Sequence, residues 1–147
     1  EIAAVDGRIS RTVDGVAPTR GVRFGASDHL ARFLLAAREH APELRFVVNC
    51  RLSEATSAGL DSLERPVAWF DRSDEPESRS TMDWAAERVF AGADERPAAV
   101  ADEGATGKEA MIRVVGETPE EVAETVRHLH SYCRTEGLYS KTGPAPP

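Results

Sequence analysis

The six residues 24–29, Phe-Gly-Ala-Ser-Asp-His, combine residue types that can bind an anion. A predicted strand ends at Gly25, and Ser27 is a good N-cap for the helix that follows. Free backbone N–H groups and the dipole at a helix start attract negative charge, so a phosphate would fit at Gly25, Ala26 and Ser27. His29 would lie in the first turn as a hydrogen-bonding group. A plain capped helix with an exposed histidine would show the same pattern, so this segment alone leaves both interpretations open.

A second loop, residues 104–109 with the sequence Gly-Ala-Thr-Gly-Lys-Glu, superficially resembles a P-loop. That motif needs four residues between its glycines, a Ser or Thr after the lysine, and a helix next. Here two residues separate Gly104 from Gly107, Glu109 follows the lysine, and a predicted strand comes next, so a P-loop is excluded. A glycine-bounded loop that presents Lys108 can still hold a phosphate. A simple surface turn is an equally good interpretation.

Two aspartates follow predicted strands and are candidate metal ligands. Asp71 comes directly after the third predicted strand, and Asp102 follows a later one. Open α/β sheets bind ligands at their strand ends, and Mg²⁺ prefers oxygen ligands, so each carboxylate could hold Mg²⁺ beside a diphosphate. An ordinary turn or capping role is the alternative for each. His128 and His130 lie two apart on the last predicted helix and face apart, which argues against a zinc site.

Alternating strands and helices would position these residues. Such alternation predicts an α/β layer fold in which helices cover a mixed, largely buried sheet, although the strand order does not follow from it. The predicted strands are 22–24, 45–50, 66–70, 98–101 and 110–115, and the predicted helices are 28–39, 53–63, one capped by Ser80 with Asp83 in a capping-box position, and one from Pro119 that Gly137 ends.

Length and charge exclude several classes of protein. The 147 residues fit one domain, which we place at residues 1–140 with a flexible Gly/Pro-rich tail at 141–147. The net charge of −7 argues against a direct nucleic-acid surface. The sequence contains neither an apolar run long enough for a membrane helix nor a signal pattern, and Cys50 and Cys133 are too far apart for a disulfide framework. We therefore expect a cytoplasmic protein. The opening at Glu1, without Met, suggests a piece cut from a longer one.

Taken together, the segments resemble the ThiN family of archaeal thiamine-phosphate synthases from about Val5 to Val126. Each motif is short, but six of them in the same order are specific. The motifs are Asp6-Gly7-Arg8-Ile9, Phe24-Gly25-Ala26-Ser27-Asp28-His29-Leu30-Ala31-Arg32, Asn49-Cys50-Arg51-Leu52-Ser53, Phe70-Asp71-Arg72 with Glu75-Pro76, Ser80-Thr81-Met82-Asp83-Trp84, and Asp102-Glu103-Gly104 leading to Gly107-Lys108-Glu109-Ala110-Met111-Ile112-Arg113-Val114.

The resemblance implies a three-layer α/β/α domain with a central mixed sheet, similar to class II aldolases. It implies condensation of hydroxymethylpyrimidine diphosphate with hydroxyethylthiazole phosphate, with Mg²⁺ accompanying the diphosphate. Arg8 and His29 match the arginine and histidine that matter for activity in that family. We also expect a homodimer, and related domains occur fused to a kinase or to a helix-turn-helix regulator. Substrate and phosphate contacts are expected at Gly25, Ala26, Ser27, Arg51, Ser80, Thr81, Met82, Gly107 and Lys108.

The sequence departs from the family pattern at two places that could alter phosphate contacts. The usual proline after Lys-Glu is Ala110, and the acidic-Arg-Gly segment lacks its arginine at residues 102–104. An alternative function is that of a thiamine-phosphate-sensing effector domain in a transcription regulator. Retention of both Arg8 and His29 favours the enzyme, because a sensor need not keep catalytic groups. A metal-dependent, aldolase-like enzyme is a third hypothesis, for which the sequence offers no good ligand set.

Overall fold

The computed structural model of the chain describes residues 1–76 and 80–139. The predicted tail at 141–147 lies outside the described residues. Alternating strands and helices follow a strand-rich N-terminal segment. The strands are β1 (Ala3–Val5), β2 (Ile9–Thr12), β3 (Gly15–Pro18), β4 (Val22–Phe24), β5 (Phe46–Arg51), β6 (Val67–Trp69), β7 (Ala99–Asp102) and β8 (Met111–Gly116), and the helices are α1 (Asp28–His40), α2 (Glu54–Asp61), α3 (Thr81–Phe90) and α4 (Pro119–Tyr139).

The central sheet has four strands in the order β5-β8-β7-β6. Strand β8 runs antiparallel to both β5 and β7, whereas β6 and β7 are parallel. All four residues of β7 are buried, as expected for a strand that is covered on both faces. The prediction of a mixed sheet is therefore confirmed. Its two central strands, β7 and β8, are buried, whereas the edge strands β5 and β6 are partly exposed.

Helices cover both faces of this sheet. On one face, α1 and α3 pack over Val100 and Val115, and the two helices contribute Phe33 and Phe90 to the same core. On the other face, α2 and α4 pack over Ile112 and its neighbours. Successive residues of a strand point to opposite faces, so β7 and β8 supply both cores. The result is three layers, helix on sheet on helix.

The N-terminal segment forms two small sheets that the hydrophobic pattern did not predict. Strands β1 and β4 pair antiparallel, and β2 and β3 form a hairpin between them. The side chains of Ile9, Val13 and Val16 are exposed. Because these strands bury so little, they lack the contrast between apolar and polar positions from which a strand is recognised.

Two helix ends differ from prediction. Helix α4 continues through Gly137 to Tyr139, because a single glycine costs a helix only about 1 kcal/mol. Ser80 does precede α3, but its side chain makes no capping hydrogen bond, so the capping box with Asp83 is absent. Among the described residues, no helix combines the length and apolar composition needed to span a membrane.

Candidate functional site

The carboxyl end of the central sheet brings most of the predicted anion-binding segments together. Strands β5, β6 and β7 end there, and β8 begins there, since Met111 pairs with both Arg51 and Asp102. Helix α2 starts three residues after β5, and α1 and α3 lead back to the opposite end of the sheet through short loops. The N-termini of α1, α2 and α3 therefore lie at this end of the sheet, whereas α4 begins at the opposite end. Helix N-termini favour anions through their free N–H groups and their dipoles.

The start of α1 has the predicted capped geometry. Gly25 adopts a φ of 70°, in the left-handed region that favours glycine, and this turns the chain from β4 into the helix. The Ser27 hydroxyl accepts a hydrogen bond from the Leu30 amide at 3.4 Å. His29 lies in the first turn and is exposed.

A cleft of about 740 Å³ lies between the N-terminal strands, the start of α1 and strand β5. Its volume suits a small organic ligand. Polar groups in its wall include Arg8, Ser27 and Arg45, so the cleft joins Arg8 to the start of α1. Gly25 and His29 are not among the residues that line it. The apolar part of the wall includes Ile2, Val5, Leu30, Leu34, Val47, Val48 and Met111.

Arg8 lies in the turn between β1 and β2, and Thr19 holds its backbone in place. The Arg8 carbonyl accepts hydrogen bonds from the Thr19 amide at 2.9 Å and the Thr19 hydroxyl at 2.7 Å. The neighbouring Asp6 pairs instead with Arg23 at 3.0 Å and Arg20 at 3.6 Å. The hydrogen bond from Arg23 lowers the pKa of Asp6. Within the described part of the chain, no carboxylate pairs with Arg8, so its guanidinium remains available to an anion.

A second group forms where the loop after β6 meets the loop between β7 and β8. Glu75 accepts a hydrogen bond from the Thr81 hydroxyl, and its carboxylate lies 3.9 Å from the Lys108 ammonium. Thr81 is the first residue of α3, so Glu75 links the start of that helix to the lysine loop. Ser80 is half-buried beside Thr81, and Arg51 is exposed at the end of β5.

The lysine loop is a tight turn. Ala105 and Lys108 exchange backbone hydrogen bonds of 3.1 and 2.8 Å, and Gly107 is exposed within the turn. Gly104 has a φ of 78°, and a Cβ added there would lie 2.4 Å from the Lys108 carbonyl oxygen. The backbone of this loop is therefore a surface turn, one of the two interpretations that the sequence left open. The Lys108 side chain is exposed on this turn.

Met82 was expected to contact substrate, but its side chain packs in the core between α1, α3 and the sheet. Only its backbone near the start of α3 could approach a ligand. The Met82 side chain packs in the core, and the sequence does not distinguish such a methionine from one that contacts a ligand.

Asp102 does not fit the predicted role of a Mg²⁺ ligand. Its carboxylate is fully buried and receives two hydrogen bonds from Arg72, at 2.5 and 3.2 Å, one from Arg113 at 2.8 Å, and one from the Gly104 amide at 2.9 Å. Burial would raise the pKa of Asp102, but the hydrogen bonds from Arg72 and Arg113 outweigh it and lower the pKa. The ionised carboxylate is thus already neutralised by two guanidinium groups.

Asp71 takes the capping role that the sequence left open. Its carboxylate accepts a hydrogen bond from the Ser73 amide at 2.7 Å and caps the single 3₁₀ turn Arg72–Asp74. Among the described residues, no three His, Cys, Asp or Glu side chains cluster as an all-protein metal site would require. The exposed Asp71 carboxylate stays a predicted Mg²⁺ ligand, whereas the buried Asp102 carboxylate is already bound by two arginines.

Sequence reasoning missed Arg72, Arg113 and Glu75 as site residues. A signal was present for Arg113, because it interrupts the apolar run Met111–Val115 in a strand that is otherwise buried. A buried arginine requires a carboxylate partner, and Asp102 on a neighbouring strand supplies it.

Comparisons with known proteins agree with the motifs. A family model described as thiamine-phosphate synthase ThiN matches residues 1–128. The thiamine-phosphate synthase ThiN of Methanothermobacter thermautotrophicus is 33% identical over 143 residues, which are 93% of this chain and 75% of that protein. The bifunctional thiamine biosynthesis protein ThiDN of Methanocaldococcus jannaschii is 34% identical over 142 residues, 92% of this chain and 32% of that protein.

A solved structure shows the same fold. The crystal structure of the C-terminal domain of a phosphomethylpyrimidine kinase superimposes with a TM-score of 0.79 at 35% identity, over 86% of this chain and 74% of that one. The matched family model spans most of the sequence, and the relatives match nearly all of it. The chain belongs to the thiamine-phosphate synthase ThiN family.

Proposed function

We propose that this chain joins hydroxymethylpyrimidine diphosphate to hydroxyethylthiazole phosphate and releases diphosphate, giving thiamine phosphate. One observation carries the proposal: the 740 Å³ cleft has Arg8 in one wall and the capped start of α1, at Ala26 and Ser27, in another. Such a cleft offers a guanidinium and helix amides to a phosphate, and apolar walls to a heterocyclic ring.

The reaction asks little covalent chemistry of the protein. The C–O bond between the pyrimidine methylene and the diphosphate breaks, and the bonding electrons leave with the diphosphate. The pyrimidine ring stabilises the cation that remains, and the thiazole nitrogen then donates its electron pair to form the C–N bond. The protein must orient two substrates and stabilise the charge of the leaving group. A site made of cations and backbone amides, without an activated nucleophile, suits that task.

The two groups of residues suggest a division of roles. The cleft with Arg8 and Ser27 would bind a ring and its phosphate. Lys108, Thr81 and the start of α3 would bind a second phosphate group at the same end of the sheet. His29 would hydrogen-bond a phosphate or the leaving oxygen. Since His29 is not part of the cleft wall, this role requires a ligand that extends beyond the cleft.

The Mg²⁺ requirement stays a prediction of the family resemblance. Mg²⁺ commonly binds through substrate phosphates and only one or two carboxylates. Because the Asp102 carboxylate is already bound by two arginines, it is not proposed as one of them. Chelation of Mg²⁺ during the assay tests the requirement directly.

Four further properties are proposed. Exposed apolar side chains on the β2–β3 hairpin are compatible with a homodimer, which sedimentation would test. The bifunctional relative supports occurrence of this domain within a longer fusion. The three layers are compatible with kinship to class II aldolases, and a cytoplasmic location is expected for a biosynthetic enzyme.

The deciding experiment mixes the purified chain with both phosphorylated substrates and Mg²⁺ and follows thiamine phosphate and diphosphate by chromatography. We expect the two products in equal amounts, and neither product when one substrate is omitted. Tight binding of thiamine phosphate without turnover would replace the synthase proposal with the sensor alternative.

A further inference from the structure

Asp102, Arg72 and Arg113 form a buried group with unbalanced charge, which we call the Asp102 cluster. The side chains of Asp102, Arg72 and Arg113 are 0, 10 and 4% exposed. Arginine stays protonated in proteins, so two positive charges face one negative charge. No other carboxylate of the described chain pairs with either arginine. An excess buried charge is costly unless something compensates it.

Donor groups in the Asp102 cluster also remain unused. Arg113 Nε is buried and has no hydrogen-bond partner among the described residues. The Arg113 guanidinium carbon lies 5.7 Å from the centre of the Phe33 ring and 5.5 Å from that of Phe70, so two aromatic rings flank the group that donates to Asp102. Arg72 binds Asp102 through Nε and Nη2 and leaves Nη1 without a described partner.

The position of the Asp102 cluster connects it to the second group of candidate phosphate ligands. Arg72 opens the 3₁₀ turn that leads to Glu75, and the Gly104 amide on Asp102 opens the loop that presents Lys108. The cluster thus lies at the base of both loops, at the end of the sheet where three helices begin. The start of α3 there has no side-chain cap.

The opposite end of the sheet carries the reverse balance. There Arg65 and Arg96 pair with Glu43, Glu117 and Glu121, so two positive charges face three negative ones. The excess of positive charge is therefore a property of the Asp102 cluster and does not reflect the chain as a whole, whose net charge is −7.

We propose that the Asp102 cluster is a built-in positive charge that attracts the diphosphate group of the pyrimidine substrate and, after the C–O bond breaks, the released diphosphate. Arg113 attracts the anion electrostatically without touching it and is therefore a positioning residue. Arg72 places positive charge nearer the loops that contain Glu75 and Lys108. Asp102 holds both guanidinium groups in place. The identity of the anion rests on the proposed reaction. Buried charge in a site of low dielectric attracts an anion more strongly than an exposed side chain does.

The test measures binding of inorganic pyrophosphate by calorimetry, with EDTA present so that metal does not contribute. Arg113→Met removes one charge, keeps a side chain of similar volume between two rings, and leaves Asp102 paired with Arg72. We expect the dissociation constant to rise about tenfold or more, and Arg113→Lys to stay within about threefold of the parent. Arg96→Met, in the acidic group at the other end, is the matched control and should leave pyrophosphate affinity unchanged.

A second measurement separates this role from a purely structural one. With both substrates, Arg113→Met should raise KM for the pyrimidine diphosphate and leave KM for the thiazole phosphate within about twofold. Unchanged pyrophosphate affinity in a variant with the parental melting temperature overturns the inference. If Arg113→Met folds poorly, Arg72→Gln repeats the test, because Asp102 then keeps Arg113. Charge-dependent pyrophosphate binding without thiamine phosphate formation would uphold the inference and defeat the proposed synthase.

Discussion

Each end of the central sheet holds a group of arginines and carboxylates, and the two groups carry opposite net charge. At the carboxyl end, Arg72 and Arg113 share one carboxylate, and the start of α3 has no side-chain cap. At the other end, carboxylates outnumber arginines. The α4 start there is capped, because the Thr118 hydroxyl accepts a hydrogen bond from the Glu121 amide at 3.2 Å. Charge balance and the uncapped start of α3, more than residue types, therefore distinguish the candidate site from a structural ion-pair group.

The largest expected effect comes from removing the shared carboxylate at the carboxyl end. Asp102→Ala leaves two buried guanidinium groups without a counter-ion, and we expect it to lower the free energy of unfolding by about 3–5 kcal/mol. Urea denaturation followed by circular dichroism measures this. A loss below about 1 kcal/mol would show that the fold does not depend on the single carboxylate of the Asp102 cluster.

The next effect concerns catalysis at the same end. Arg8→Ala should reduce kcat/KM by about 2–4 kcal/mol, the scale of removing one preorganised charge-stabilising group, and His29→Ala should do the same if it contacts a phosphate. Steady-state rates of thiamine phosphate formation provide the measurement. Arg11→Ala, on the neighbouring hairpin strand, is the matched control. Activity of Arg8→Ala within about twofold of the parent would remove Arg8 from the site.

At the opposite end of the sheet, substitution of Glu121 should lower stability without affecting catalysis. Burial would raise the pKa of Glu121, but the hydrogen bonds from the Glu117 amide and from Arg96 outweigh it and lower the pKa. A lowered pKa stabilises the fold at neutral pH, and this stabilisation is lost as the pH falls through the folded-state pKa. We expect Glu121→Gln to lose about 1–3 kcal/mol of stability at pH 7, with unchanged kcat/KM.

The pH dependence provides the control for that variant. Parent and Glu121→Gln should approach equal stability as the pH falls through the lowered folded-state pKa of Glu121, where the carboxylate becomes protonated. A stability difference that does not shrink anywhere in the acidic range would mean that packing, not charge, causes the loss.

The smallest effect should come from the caps. Ser27→Ala and Ser53→Ala should each cost about 1 kcal/mol of stability, because each hydroxyl accepts a hydrogen bond from a helix amide. Only Ser27 lines the cleft, so only Ser27→Ala should also raise KM for a substrate. Equal kinetic effects of the two substitutions would contradict the placement of substrate in the cleft.

From α1 onward the elements could be predicted closely, for reasons visible in particular residues. Ser27 and Ser53 mark helix starts, and the apolar run of β8 marks a buried strand. The strands before β4 were missed because β2 is exposed along its whole length. Burial supplies the pattern from which elements are read, and these strands have little of it.

The candidate site could be predicted only where its residues are local in sequence. The start of α1 is one segment, so its anion-binding geometry follows from residues 24–29. The partners of Asp102 are 30 and 11 residues away, on a turn and on a strand whose order in the sheet the sequence did not fix. The sequence singled out Asp102 as an aspartate at a strand end, but its chemistry depends on those distant arginines.

Gly104 divides the loop between β7 and β8 into positions with very different freedom to change. Even an alanine there would force the Lys108 carbonyl away and disturb the amide that anchors Asp102. Residues 105 and 106, by contrast, are exposed and carry no such constraint. A library that varies this loop to alter substrate preference should therefore keep Gly104 and randomise residues 105 and 106. The position of the Lys108 side chain can then change while the hydrogen bond from the Gly104 amide to Asp102 is kept.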